Sequence, residues 1–160
     1  MQTKHFLPIL TVALALACTK NDKDLTPPEI LAPQSVQASP ANCAHFAPGG
    51  TIPFAYAFTD DVALGAFNIE IHSNFDHHTH STEAEDCPED AHEHGQETEG
   101  TPWVFNRDYS IPGDQVRRYE ASLEIPIPID AAHGEYHFMI RVTDKAGWLQ
   151  LRSLSIHIED

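Results

Sequence analysis

The chain has 160 residues with 24 acidic and 9 basic side chains, a formal net charge of -15. So negative a sum disfavours nucleic acid and anionic membrane surfaces and favours cations or basic surfaces as partners. With 41 % hydrophobic residues, 12 Pro and 8 Gly, the length suits one domain of short strands and turns with a tail, and excludes a Rossmann or TIM-barrel enzyme.

The chain opens with one Lys, an apolar run over 6–17 and then Cys18 followed by the polar TKNDKD. The run is too short for a permanent membrane span, and Ala17 is a small residue at a cleavage point, so 1–17 is expected to be an export signal. The pattern resembles a bacterial lipoprotein signal, which implies lipid on Cys18 as the first mature residue; secretion with cleavage elsewhere is the alternative. Residues 18–27 are polar and are expected to be a tether for the domain at 28–160, and the run Lys20 to Asp24 resembles the tags by which Bacteroidota-type bacteria send lipoproteins to the outer face of the outer membrane.

Short alternating runs predict seven strands at 28–37, 51–59, 65–73, 103–111, 118–127, 135–143 and 148–158. Between them stand turn sequences such as PGG at 48–50, IPGD at 111–114 and DKAG at 144–147. The predicted fold is all-β: an immunoglobulin-like sandwich of about seven strands carrying a long His/Asp/Glu-rich loop. Leu149 and Leu151 have the opposite parity to Leu154, Ile156 and Ile158, so a bulge is expected near Arg152 or Ser153. Trp103, Phe105 and Tyr109 alternate along one strand, as core or rim residues do.

The loop, 74–102, carries nine acidic residues, no Lys or Arg, and His77, His78, His80, His92 and His94. A connection of this length is functional or disordered more often than structural, and its composition cannot form a core alone. Discounting Cys18 leaves Cys43 and Cys87, an even pair that an oxidising compartment would join as a disulfide. The alternative makes Cys87 a thiolate metal ligand.

Strand parity adds to the histidine count. Phe67, Ile69 and Ile71 face the core, so Asn68, Glu70 and His72 face out; Tyr136, Phe138, Ile140 and Val142 face in, so His137, Met139 and Arg141 face out. By the same rule His157 and Glu159 face out. The third, sixth and seventh strands of such a sandwich share a sheet, so His72, His137 and His157 are expected to converge where the loop emerges, with His133 nearby. Imidazoles with carboxylates suit zinc or copper, and two rigid strand donors joined by mobile loop donors would allow capture and release. Mutual hydrogen bonding of these histidines, or simple solvation of the loop, is the structural alternative. Asp60, Asp61 and Asp144 fall at strand ends, where turn capping is favoured over calcium because no calcium-loop spacing is present.

The stretches TDDVALGAFNIEIHSNFDHHTH and IPIPIDAAHGEYHFMIRVTDKAGW resemble a family of Bacteroidota lipoproteins known as domain of unknown function 4625. Most specific are IHSNFDHHTH and GEYHF, whereas VTDKAGW is shared with many bacterial immunoglobulin-like modules. The resemblance implies fold and cell-envelope location and supplies no activity. No GxSxG, HExxH or phosphate loop is present, so the expectation is a binding protein and not an enzyme. Two functions are in view. One is transition-metal binding for sensing, buffering or delivery to an outer-membrane importer; the other is a metal-independent interaction or adhesion module.

Overall fold

A computed structural model describes residues 23–75, 87 and 100–160. Eight strands run in chain order: β1 (Glu29–Leu31), β2 (Ala44–Phe46), β3 (Thr51–Thr59), β4 (Leu64–Ser73), β5 (Phe105–Ser110), β6 (Arg118–Pro126), β7 (Gly134–Asp144) and β8 (Leu149–Ile158). They form a three-stranded sheet, β1-β3-β6, and a five-stranded sheet, β2-β8-β7-β4-β5. No helix occurs among the described residues, and none of them forms a helix long and apolar enough to cross a membrane.

Alternation along each strand drives the two sheets together. Ile52, Phe54, Tyr56 and Phe58 of β3 turn to the same interior as Phe67, Ile69 and Ile71 of β4 and Phe138, Ile140 and Val142 of β7, all buried. Phe54, Phe58, Phe67 and Tyr109 stack or tilt against one another, with Phe67 4.7 Å from Tyr109 and 5.0 Å from Phe58. Aromatic rings offset at such spacing add to what their burial alone contributes. The Tyr136 hydroxyl donates to the Ala132 carbonyl at 2.7 Å and accepts from the Trp103 N–H at 3.3 Å, ringed by Trp103 and Phe75. A tyrosine at the start of this strand bonding back to the chain four residues upstream is the tyrosine corner of immunoglobulin-like sandwiches.

The predicted third, sixth and seventh strands do lie side by side, as β4, β7 and β8. Two expectations need correction. The first predicted strand shrinks to Glu29–Leu31, because Pro33 has no N–H to donate and the chain bends away after Ala32. No bulge occurs at Arg152 or Ser153: the β7–β8 ladder runs unbroken from Gly134↔Ile158 to Thr143↔Leu149. Leu149 and Leu151 therefore stay on the outer face, with Leu149 54 % exposed, and the irregularity falls between Leu64 and Ala66 of β4. There Gly65 runs so close to β7 that a Cβ would sit 3.0 Å from the carbonyl oxygens of Thr143 and Asp144.

Turn capping by Asp60 and Asp144 is as expected. Asp60 Oδ1 accepts from the N–H groups of Val62 and Ala63, and Asp144 Oδ1 from those of Gly147 and Trp148. Each cap satisfies turn donors that the ladders leave over.

Candidate functional site

The outer face of the five-stranded sheet carries the histidines that sequence parity picks out. His72 of β4 and His137 of β7 are direct cross-strand partners, their ring centroids 5.4 Å apart at a 57° tilt. One register step along, Glu135 of β7 opposes His157 of β8. His157 in turn opposes His45 of β2, the two rings stacked 4.9 Å apart. Glu70 Oε1 lies 3.3 Å from His72 Nδ1, and Glu159 Oε1 lies 2.6 Å from His45 Nδ1. Four imidazoles and three carboxylates thus share one end of one face.

That end is also where the chain leaves β4 toward 74–102. Asn74 holds it down, its N–H on the Glu135 carbonyl at 2.9 Å and its side-chain amide on Glu135 Oε1 at 3.2 Å. Ser155 Oγ donates to the same Glu135 oxygen at 2.7 Å. Along the β8 edge, Cys43 N–H donates to the Ser155 carbonyl at 2.7 Å, and Asn42 Oδ1 accepts from the Ser155 N–H at 2.8 Å. Cys43, with a left-handed φ of 61°, is disulfide-bonded to Cys87, so the histidine-rich connection is tied at its middle to the sheet edge that carries this face. A bonded Cys87 leaves no thiolate to ligate a metal.

The expectation that His137 faces solvent requires correction. Its side chain lies on the outer side of β7, yet the residue is only 4 % exposed, like Ser153 at 6 % and Ser155 at 2 %. His72 is half-buried, and His133 departs from the group: its Nε2 reaches toward Asp160 Oδ1 at 3.8 Å. His77, His78, His80, His92 and His94 lie outside the described residues, as does Cys18. Among the described residues this face holds no set of three imidazole, thiol or carboxylate donors within 4.8 Å of one another. His72 and His137 are the two imidazoles that adjacent strands hold side by side.

His45 is the site residue that sequence reading misses. Its strand spans three residues, too few for an alternation to show, and its partner β8 lies more than a hundred positions away. The available signal is the AHF triplet after Cys43, where the imidazole stands between two inward apolar residues.

A two-sheet, mostly antiparallel sandwich with a tyrosine corner and a polar histidine face defines the class: an immunoglobulin-like module with a decorated outer sheet. The chain belongs to the family described as domain of unknown function DUF4625, whose model matches residues 16–159. No curated protein matches the sequence. Among solved structures, the crystal structure of Spo0M, a sporulation control protein from Bacillus subtilis, is similar at 7 % identity with a TM-score of 0.46. The match covers 85 % of this chain and 51 % of that one, so the chain spans about half the length of that protein.

Proposed function

We propose that this protein is a cell-envelope lipoprotein that binds a transition metal ion, zinc or copper, between the outer face of its five-stranded sheet and the histidine-rich connection. On this reading residues 1–17 are removed and Cys18 carries the lipid that holds the domain at an outer membrane, as in Bacteroidota-type lipoproteins. The protein binds and hands over its ion to an envelope partner such as an importer, without catalysing a reaction.

The observation that carries the reading is the in-register pair His72 and His137, 5.4 Å apart at the mouth of a connection that adds five more histidines. Imidazole nitrogens are the donors zinc and copper share, and a strand pair fixes two of them at little entropy cost while the loop supplies the others. The Cys43–Cys87 bond ties the chain midway along that loop to the β2 edge of the same sheet.

The test is metal content by mass spectrometry on untagged protein, followed by isothermal titration with Zn²⁺ and Cu²⁺. One ion per chain is expected, with affinity falling at least about tenfold in a His72→Asn/His137→Asn double variant, as loss of two ligands requires. Affinity should also fall as pH drops through about 6.5, because ligating imidazoles must be neutral. Undiminished binding in the folded double variant would remove the strand pair from the site.

A further inference from the structure

A second cluster lies at the opposite end of the fold, where the segment before β1 crosses the turns β3–β4 and β7–β8. Asp24, Asp60 and Asp144 each present a carboxylate oxygen there, the three within 4.8 Å of one another. Asp60 and Asp144 use Oδ1 to cap their turns, and in both Oδ2 is buried with no hydrogen-bond partner. Asp144 is only 4 % exposed. Leaving buried carboxylate oxygens without a donor costs several times what a satisfied pair does, unless a cation answers them.

The charges around the cluster point the same way. Asp61 stands beside it and accepts from the Thr26 hydroxyl, so four acidic residues meet in this corner. The adjacent Lys145 turns its ammonium away, to the Gly113 carbonyl at 2.8 Å and Asp114 at 3.0 Å. Loss of solvent, followed by the charges of Asp60, Asp144 and Asp61, raises the Asp24 carboxyl above its ordinary value despite a hydrogen bond from the Thr26 N–H. Asp24 is brought to the corner by its backbone as well, its carbonyl accepting from Trp148 Nε1 at 3.2 Å.

We propose that Asp24, Asp60 and Asp144 form a calcium site that clamps the segment leading to β1 onto the end of the sandwich. The donors are all hard oxygens, with no imidazole or thiol among them, which selects calcium over zinc or copper. Carbonyl oxygens and water complete the six to eight ligands calcium takes, and loop-borne carboxylates suit its flexible geometry better than the strict octahedron of Mg²⁺. Because Asp24 belongs to the tether and the other two to the domain, the ion converts a flexible attachment into a fixed one. This site is independent of the histidine face.

The experiment uses the full chain, purified in detergent with a chelator and then given about 1 mM Ca²⁺, the range of extracellular calcium modules. Calcium is expected to raise Tm by about 3–6 °C and to slow tryptic cleavage after the exposed Lys23 about tenfold. Asp24→Asn should abolish both effects while melting no lower than the parent in chelator, since it only removes a repelling charge. Asp144→Asn keeps an oxygen for the turn cap and should also abolish them; if it does not fold, Asp24→Asn decides alone. A Tm unmoved by calcium, or a rise that survives Asp24→Asn, overturns the proposal, the second outcome placing the ion elsewhere on this acidic chain.

Discussion

Replacing Tyr136 by Phe tests whether the tyrosine corner holds the loop end of the sandwich together. The ring itself is fully buried and would keep its packing, so the change isolates the hydroxyl. That hydroxyl serves two backbone groups, donating to Ala132 O at 2.7 Å and accepting from Trp103 N–H at 3.3 Å. Both residues are buried, Ala132 at 1 % and Trp103 at 8 % exposure. A buried polar group deprived of its partner costs about 1–3 kcal/mol, and the longer of these two bonds belongs at the low end. The sum is about 2–4 kcal/mol. Tyr56 offers the internal comparison: its hydroxyl makes a single bond, to the Pro40 carbonyl at 2.7 Å, so Tyr56→Phe should cost about 1–2 kcal/mol. Urea unfolding followed by circular dichroism and by tryptophan fluorescence gives both values at unchanged m. A Tyr136→Phe loss equal to or below that of Tyr56→Phe would refute the reasoning, because the stranded Trp103 N–H would then carry no cost.

Cys43 and Cys87 are 44 positions apart and close a loop that contains β3 and β4. Releasing that closure in a Cys43→Ser/Cys87→Ser variant should lower stability by about 4 kcal/mol in the chain-entropy account, read by urea midpoint; a midpoint unchanged from the oxidised parent would show that the unfolded chain gains nothing from the cut. Burial raises the Tyr56 and Tyr136 hydroxyls above the ordinary tyrosine value, Arg152 opposing it at Tyr56 and the Trp103 N–H at Tyr136. A folded pKa above the unfolded one means that their contribution is complete below about pH 10 and declines as pH rises beyond it. Melting curves from pH 9 upward should therefore fall, with a shallower slope in a Tyr56→Phe/Tyr136→Phe variant, and equal slopes would count against it.

Much of this molecule is legible in its strands because period-two alternation is a local property. Phe67, Ile69 and Ile71 opposite Phe138, Ile140 and Val142 fix the faces of β4 and β7, and with them the meeting of His72 and His137. What escapes the sequence depends on tertiary approach. Leu149 and Leu151 read as inward residues and so suggest a bulge, but apolar side chains are common on surfaces and the ladder carries both outside. Asp60 and Asp144 show in sequence as turn caps, and that is what one oxygen of each does; the arrival of Asp24 beside them depends on the segment before β1, whose Asp24 carbonyl accepts from Trp148 Nε1. The burial of His137 likewise cannot be read from parity, which assigns a face and not what lies over it.

The parallel pairing of Ala44–Phe46 with Ile156–Ile158 means that one edge of the five-stranded sheet joins its first strand in the chain to its last. Until β8 is in place, β7 lacks a neighbour on one side and β2 has no strand to pair with. Loop-closure entropy must therefore be overcome over more than a hundred positions before this edge forms. Completion of the five-stranded sheet is thereby deferred until β8 is available.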